Sequence, residues 1–338
     1  MNKKSIFFCV GSGGHILPVK NIILDLIKNG VSEEEIIIFT DKRGAEYLNG
    51  LESSTIIYNF SYSKKGLPGY VFKVLHLIKA IIFVYRNTKI YNINYFFTSG
   101  AYIAPIATIV SIILRVDIYN QEQNIYAGYG NKFTSYFSKF TFTSFPNTKN
   151  LSNRNVKFTG PILNRNLEKV SKVSKSSTYT IGIQGGSQGS KELIEYTEKL
   201  SKDLKDLQIN FICITGRTLV TTKDSINISY KAFYQNMSKF YSEIDLQISR
   251  AGGGSLEAAY LQIPQILVPY KHGTSKSHQS LNAKYLKELG VAQIANSYEE
   301  IYAYVNNFYL DRNSKNNRFA KIENGLDVIT KELMRNYD

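Results

Sequence analysis

Tryptophan is absent from the 338 residues, proline occurs seven times, histidine four times and cysteine only twice. Two cysteines can supply neither the disulfide framework of a small secreted domain nor a zinc-ligand spacing. Cys9 and Cys213 each sit inside an apolar run, SIFFCV and INFICIT, which reads as a reduced, buried core strand. Acidic residues are scarce too: 27 against 41 lysines and arginines leave a formal net charge of +14. That balance favours anionic partners such as nucleic acid, anionic lipid or phosphorylated substrates. Solvated lysines in a basic composition give the same number, so charge alone does not choose. Nucleic acid is set aside, because no recognised binding motif and no basic stripe with interleaved aromatics is present.

Long hydrophobic runs are missing as well. The stretch between Lys89 and Arg115 carries no charge and has the length to span a bilayer, yet Asn92, Asn94, Gly100 and Pro105 interrupt it. It reads as strand, turn and helix in a protein core. The opening MNKKSIFFCVGSGG imitates a signal peptide, but its apolar run of six residues is shorter than an h-region. The expectation is a cytosolic chain that is not exported and has no transmembrane helix.

What is present describes a globular α/β protein. Hydrophobic residues make up 43% and charged residues 20%, and the length suffices for two domains with a core each. Short β-rich runs alternate with helical periodicity, the pattern of parallel sheets with helices on their faces. Strands are predicted near 5–10, 35–40, 55–58, 94–98, 116–120, 139–143 and 155–159. A second series follows near 178–184, 208–214, 226–231, 245–249, 264–268 and 292–295. Val19, Ile22, Ile23, Leu26 and Ile27 form one helical stripe, with Pro18 near its start and Gly30 just past its end. The pair Gly160–Pro161 marks the domain junction, dividing 1–160 from 161–338, and Lys169–Ser177 reads as a polar loop soon after it. A last helix over about 314–336, with Phe319, Ile322, Leu326, Ile329 and Leu333 on its apolar positions, can pack on either domain.

Glycine-rich turns carry the chemistry. A strand runs into Gly11-Ser12-Gly13-Gly14-His15 and then a helix; the arrangement recurs at Gly185-Gly186-Ser187-Gln188-Gly189 and at Ser249-Arg250-Ala251-Gly252-Gly253-Gly254. Glycine permits positive φ and close backbone approach, while free N–H groups at a helix start attract anions. A further turn, Ser99-Gly100-Ala101-Tyr102, follows the 94–98 strand. Ligands of open α/β sheets bind at the carboxyl ends of strands, so these turns are expected to line one crevice. No Gly-Lys-Ser/Thr closes any of them, and none is a GxGxxG with an acidic residue at the right distance, which speaks against NTPase and dehydrogenase readings.

These residues resemble the MurG family of bacterial peptidoglycan N-acetylglucosaminyltransferases. Gly11 to Pro18 is similar to its opening GGTGGH-hydrophobic-Pro, and Gly185–Gly189 matches its GGSQG in full. Ser249 to Glu257, followed by Pro264, Pro269, His272, Gln279, Asn282 and Ala283, is similar to its donor-site segment. The resemblance implies a GT-B fold: two Rossmann-like parallel-sheet α/β domains facing each other across a cleft. The first would be the acceptor and membrane-side domain, the second the UDP-sugar donor domain. It implies an inverting transfer of GlcNAc from UDP-GlcNAc to the muramyl 4-hydroxyl of undecaprenyl-linked lipid I, giving lipid II, with no cofactor and no obligatory metal.

Carried over residue by residue, Ser187, Gln188 and Gly189 would meet the donor diphosphate, with Ala251 and Gly252 beside them. Glu257 would accept from the ribose hydroxyls, and Gln279, with His278 or Asn282, would reach the sugar. Arg165 would be the uracil-side arginine, although its register differs from the family's Gly-Asn-Pro-Val-Arg. Ser12, Gly13 and Gly14 would form the acceptor loop with Asn124 and Asn131. The family's His-Glu-Gln-Asn reads here Gln121-Glu122-Gln123-Asn124, so the histidine is missing on the acceptor side. Imidazole suits taking a proton from a hydroxyl near neutral pH, which makes His15 a candidate general base or acceptor-orienting group. The alternative is that His15 only caps its glycine turn, and Glu122 is the competing base. His76 reads as a surface or packing residue, His272 as structural or part of a donor loop, and Lys271 and Lys276 as solvated or phosphate-holding.

The run Tyr70–Arg86, introduced by Lys64-Lys65-Gly66, is apolar around most of its circumference, with Lys73, Lys79 and Arg86 interspersed. Too short and too charged to span a bilayer, it can lie at an anionic membrane surface through Phe72, Leu75, Ile78 and Ile82, or serve as an ordinary buried helix. The expected location is peripheral, on the cytoplasmic face. Three other readings stay open: a glycosyltransferase of the same fold acting on another lipid such as diacylglycerol, a UDP-GlcNAc epimerase, and, given Gln121, a sugar-nucleotide binder without catalysis.

Overall fold

The computed structural model describes residues 3–60, 67–152, 154–170, 178–218, 227–234, 236–270, 275–313 and 320–337. The chain divides into two compact units, residues 1–163 with 324–338, and residues 164–323. In the first unit the strands are β1 (Lys4–Phe8), β2 (Ile36–Thr40), β3 (Thr55–Ile57), β4 (Ile93–Thr98), β5 (Ile118–Glu122), β6 (Phe140–Thr143) and β7 (Val156–Phe158). Its helices are α1 (Gly13–Lys28), α2 (Lys42–Ala45), α3 (Leu67–Thr88), α4 (Ala104–Leu114) and α5 (Tyr129–Ser135). The second unit holds β8 (Tyr179–Gln184), α6 (Lys191–Asp203), β9 (Ile209–Ile214), β10 (Ile228–Lys231), α7 (Met237–Glu243) and β11 (Leu246–Ser249). It continues with α8 (Gly253–Tyr260), β12 (Gln265–Leu267), α9 (Ser275–Glu288), β13 (Ala292–Ile294) and α10 (Tyr298–Leu310). The chain closes with α11 (Leu326–Met334) in the first unit.

Both sheets are parallel, with strand orders β3-β2-β1-β4-β5-β6-β7 and β10-β9-β8-β11-β12-β13. Each order reverses once, between β1 and β4 and between β8 and β11, and such a switch point opens a ligand crevice at the carboxyl ends of the strands. Ile6, Phe7 and Phe8 of β1, with Cys9 and Val10 just past it, are fully buried, an unbroken apolar run because both sheet faces are covered. Phe7 and Cys9 join α1 and α11 in one core; Ile6, Phe8 and Val10 join α3 and α4 in the other. Burial, with Asp41 nearby, drives the Cys9 thiol far up, and burial carries Cys213 to about 12, so both are inert core residues.

Every run read as a strand from the sequence carries one. Two helix boundaries differ from expectation. Helix α1 begins at Gly13, so Pro18 lies inside it and withholds one backbone donor from the helix. The last helix begins at Leu326, not near 314; residues 320–325 are not helical and Phe319 lies outside the described residues. Asn324 is the reason. Its side chain accepts from Leu326 N at 3.1 Å and Leu163 N at 3.0 Å and donates to the Leu163 carbonyl at 3.2 Å. The chain is thereby turned onto residues 159–163, and Leu326, Ile329 and Leu333 enter the core beside Val19, Ile23 and Leu26.

Candidate active site

In the first unit, the candidate residues collect at the carboxyl ends of β1, β4 and β5. The turn after β1 is held by a residue that sequence reasoning missed. Asp41, just past β2, accepts from Gly11 N at 3.2 Å and Gly44 N at 2.8 Å through one oxygen, and from the Tyr102 hydroxyl at 2.5 Å through the other. Burial opposes its charge, but these donors and Arg43 outweigh burial and hold the carboxyl below its usual range. Burial and the bond to Asp41 push the Tyr102 hydroxyl up to about 12, so it stays a donor. An acidic residue at a strand's carboxyl end beside a glycine turn was the available signal. Ser12 caps α1 without a side-chain hydrogen bond, and no acidic residue occupies the first turn, so this helix start remains attractive to an anion.

His15 lies half-buried in that first turn. Its Nδ1 is 2.9 Å from the Ser99 carbonyl oxygen, while Ser99 Oγ donates to the His15 carbonyl at 2.7 Å. A carbonyl only accepts, so Nδ1 carries the proton and, in the neutral ring, Nε2 carries the free lone pair. The Gln123 amide stands 3.1 Å from Nδ1, and its Oε1 has no partner. Turning that amide over presents the oxygen to Nδ1–H, which it then shares with the Ser99 carbonyl.

Glu122 ends β5 at 1% exposure and is saturated. Oε1 accepts from Asn124 N at 2.8 Å and Asn124 Nδ2 at 3.0 Å; Oε2 accepts from Gly128 N at 3.1 Å and Asn131 Nδ2 at 2.7 Å. Asn131 is itself buried and also donates to the Gln121 carbonyl at 3.1 Å. Gly100, at φ +97°, packs against it; a Cβ there would lie 2.6 Å from Asn131 Nδ2. Gln121 is buried and donates to Ser144 Oγ at 3.4 Å.

The second unit repeats the design after β8, β11 and β12. Gly189 N donates to the Gly186 carbonyl at 2.9 Å, closing a turn over which Ser187 is half-buried and Gln188 exposed. At Gly189, φ is +76° and a Cβ would fall 1.8 Å from the Thr215 carbonyl oxygen, so only glycine fits. Arg250, also missed, ties the turns together. It donates to Ser190 Oγ at 2.8 Å, Glu192 Oε2 at 2.7 Å and the Val268 carbonyl at 2.8 Å. Its position inside Ser249–Gly254 was the signal. Gly252 caps α8 without a side-chain bond, and half-buried Glu257 on that helix accepts from the Tyr241 hydroxyl at 2.6 Å.

Two of the sugar-side candidates on α9 hold loops. Buried Asn282 donates to the Ala251 carbonyl at 3.2 Å, and Gln279 Oε1 accepts from Tyr270 N at 2.9 Å. His278 is half-buried on the same helix. Arg165 opens the turn Arg165–Lys169, 3.7 Å from Glu168. Lys64, Lys65, Lys271 and His272 lie outside the described residues, as does the side chain of Lys276.

Helix α3 buries Ala80, Val84 and Thr88 and exposes Phe72, Leu75, Ile78 and Ile82 together with Lys73, Lys79 and Arg86. The apolar surface is wider than the sequence reading. Ile112 and Ile113 of α4, which packs on α3, and Tyr129, Phe133, Tyr136 and Phe137 on and just after α5, which packs on α4, are exposed as well. His76 Nε2–H donates to the Asn59 carbonyl at 2.8 Å, and the ring stacks on Tyr58, a packing role. No helix among the described residues is long and apolar enough to cross a membrane.

The glycosyltransferase family 28 N-terminal domain matches residues 6–143, and the glycosyltransferase family 28 C-terminal domain matches residues 180–333. A UDP-N-acetylglucosamine--N-acetylmuramyl-(pentapeptide) pyrophosphoryl-undecaprenol N-acetylglucosamine transferase of Sulfurihydrogenibium sp. (strain YO3AOP1) is 30% identical over 291 residues, covering 84% of this chain and 82% of that protein. The chain belongs to this family, the MurG glycosyltransferases. The transferase of the same name from Rickettsia felis is 31% identical over 315 residues, 85% of this chain and 84% of that one. The crystal structure of Acinetobacter baumannii MurG is similar with a TM-score of 0.74 at 22% identity, over 98% of this chain and 99% of that chain, and shows the shared GT-B fold. Within that family frame, the missing acceptor-side histidine falls at Gln121, a side chain enclosed by protein.

Proposed function

We propose that the chain transfers GlcNAc from UDP-GlcNAc to the muramyl 4-hydroxyl of undecaprenyl-linked lipid I, giving lipid II with inversion at the anomeric carbon. The observation that carries this reading is the full GGSQG turn between β8 and α6, beside the β8/β11 switch point and joined through Arg250 to the turn leading to Glu257, in a chain of this family. The donor diphosphate sits at Ser187, Gln188 and Gly189 and at the start of α8 beside Ala251 and Gly252, where backbone N–H groups favour an anion. Glu257 accepts from the ribose hydroxyls, Arg165 meets the uracil, and Gln279 and His278 reach the sugar. Asn282 fixes the Ala251 turn.

On the acceptor side, the lipid diphosphate lies at Ser12, Gly13 and Gly14. His15 Nε2 takes the proton of the 4-hydroxyl as its oxygen bonds to the anomeric carbon and the bond to UDP breaks. Glu122, Asn124 and Asn131 hold the loop around the acceptor. Because Gln121 is enclosed, its departure from the family histidine leaves this chemistry with His15.

Purified protein given UDP-GlcNAc and lipid I tests the reading: formation of the disaccharide lipid is expected. Transfer to diacylglycerol with none to lipid I would replace the acceptor, and a free 2-epimeric sugar made from donor alone would replace the reaction. Glu257→Ala is expected to raise KM for UDP-GlcNAc by about 10- to 100-fold, the loss of hydrogen bonds to a charged group, with kcat changing far less. Initial rates across donor concentration measure this, and an unchanged KM removes Glu257 from the ribose site.

The location proposed is peripheral, on the cytoplasmic face of the membrane, with the apolar faces of α3, α4 and α5 in the interface and Lys73, Lys79 and Arg86 on anionic headgroups. Exchanging Ile78 and Ile82 together for glutamate is expected to weaken co-sedimentation with phosphatidylglycerol vesicles by about tenfold, while transfer to a short-chain soluble acceptor persists. Undiminished vesicle binding would rule out this surface.

A further inference from the structure

We propose that Tyr241 is a positioning residue for nucleoside-diphosphate recognition, its hydroxyl holding the Glu257 carboxylate in the orientation that accepts from ribose. The proposal rests on the reading of Glu257 as the ribose-binding group. Tyr241 lies on α7, wholly buried against Phe240 at 5.2 Å between ring centroids, and its hydroxyl stands 2.6 Å from Glu257 Oε2. The same hydroxyl is 3.3 Å from the Gly254 carbonyl oxygen, but a phenol has one hydrogen, and the short bond to a carboxylate is the stronger claim on it.

The direction of that hydrogen is imposed from below. Gln184 Nε2, at the end of β8, donates to the tyrosine oxygen at 3.1 Å and to Gln247 Oε1 on β11 at 2.8 Å. Gln247 Nε2 in turn faces Gln265 Oε1 on β12 at 3.2 Å, Ser249 Oγ at 2.9 Å and the Gly254 carbonyl at 3.2 Å. Three neighbouring strands thus contribute a row of buried amides ending in one hydroxyl. With a lone pair of Tyr241 occupied by Gln184, its hydrogen turns to Glu257. One carboxylate oxygen is anchored inside; among the described residues the other has no protein partner and is left for a ligand. Gln184 also immediately precedes Gly185, so the same amide joins the diphosphate turn to the ribose acceptor.

Among the described residues, Tyr241 is the titratable group that faces Glu257. The strands beneath present neutral Gln184, Gln247 and Gln265, and Arg250 is turned to Glu192 and the Val268 carbonyl. Burial raises the Glu257 carboxyl above its ordinary range, and the Tyr241 bond opposes that rise. The carboxylate needed for ribose is therefore lost as pH falls through a raised value, and it is lost earlier without the hydroxyl.

The test is calorimetric titration of the full chain with UDP and with 2′,3′-dideoxy-UDP over a range of pH. Tyr241→Phe keeps the ring and is expected to weaken UDP about 5- to 20-fold, to shrink the preference for UDP over its dideoxy analogue, and to move the acid-side loss of UDP affinity to higher pH. Glu257→Gln is expected to lose both the preference and that acid-side loss. Gln184→Met, which leaves the hydroxyl in place but unsteered, gives a smaller change in the same direction. A Tyr241→Phe protein matching the wild type in preference and pH profile, while Glu257→Gln loses both, overturns the proposal and keeps Glu257 as the ribose acceptor. A Glu257→Gln protein that retains both overturns the ribose reading itself, and the proposal with it.

Discussion

His15→Ala is expected to lower kcat by about 10²- to 10⁴-fold, the usual contribution of a positioned general base, with UDP affinity unchanged. The hydrogen bond from Nδ1 to the Ser99 carbonyl fixes both the ring orientation and the tautomer, and so leaves Nε2 as the basic nitrogen. UDP contacts, by the assignment above, belong to the second unit, so calorimetric UDP titration of the variant isolates the chemical step. Added imidazole is expected to restore part of the missing rate, a response that a merely structural histidine does not give.

The competing role for His15, a cap on the glycine turn, makes a different demand. That turn is held by groups which alanine leaves in place: Ser99 Oγ on the residue's own carbonyl, and Asp41 on Gly11 N. Loss of the imidazole costs about 1 kcal/mol for the bond to Ser99, a shift of a few degrees in the thermal midpoint. A capping histidine would lose stability with little change in kcat per folded molecule. Full activity of His15→Ala would exclude it as the base.

The parts of the fold legible in the sequence were those set by local pattern. Runs covered on both faces of a sheet, such as Ile6–Val10, are apolar, and a glycine turn followed by a helical stripe marks where each ends. Gly189 was legible because no other residue fits its backbone. Tertiary pairings were not. Nothing local to Asp41 says that it receives Tyr102, sixty-one positions away, and nothing near Tyr241 says that it meets Glu257, because parallel crossovers bring these elements together. The start of α11 was misjudged for the same reason: Asn324 interrupts an apolar spacing that continues through it, and its partner is Leu163. The wide apolar surface across α4 and α5 escaped because each helix contributes only a few exposed residues.

Glu122→Gln is expected to destabilise the first unit by about 2–5 kcal/mol and to abolish acceptor use together with the fold of the 122–131 loop. Each Glu122 oxygen accepts from two donors, and these include the backbone N–H groups of Asn124 and Gly128. Glutamine replaces one oxygen with an N–H donor, so on either rotation two donors meet a third. The Asn124 and Asn131 amides can turn away, but a backbone N–H cannot, and a buried donor left without an acceptor costs about 1–3 kcal/mol. Thermal and urea unfolding would therefore shift by several degrees and by a lower midpoint, while UDP binding in the second unit persists. A catalytic carboxylate would behave otherwise: the amide would leave the midpoint in place and remove turnover alone. An unshifted melt with a large fall in kcat would transfer the base from His15 to Glu122. The four donors around this carboxylate argue for the structural outcome, since a base so enclosed has no lone pair free for a substrate hydroxyl.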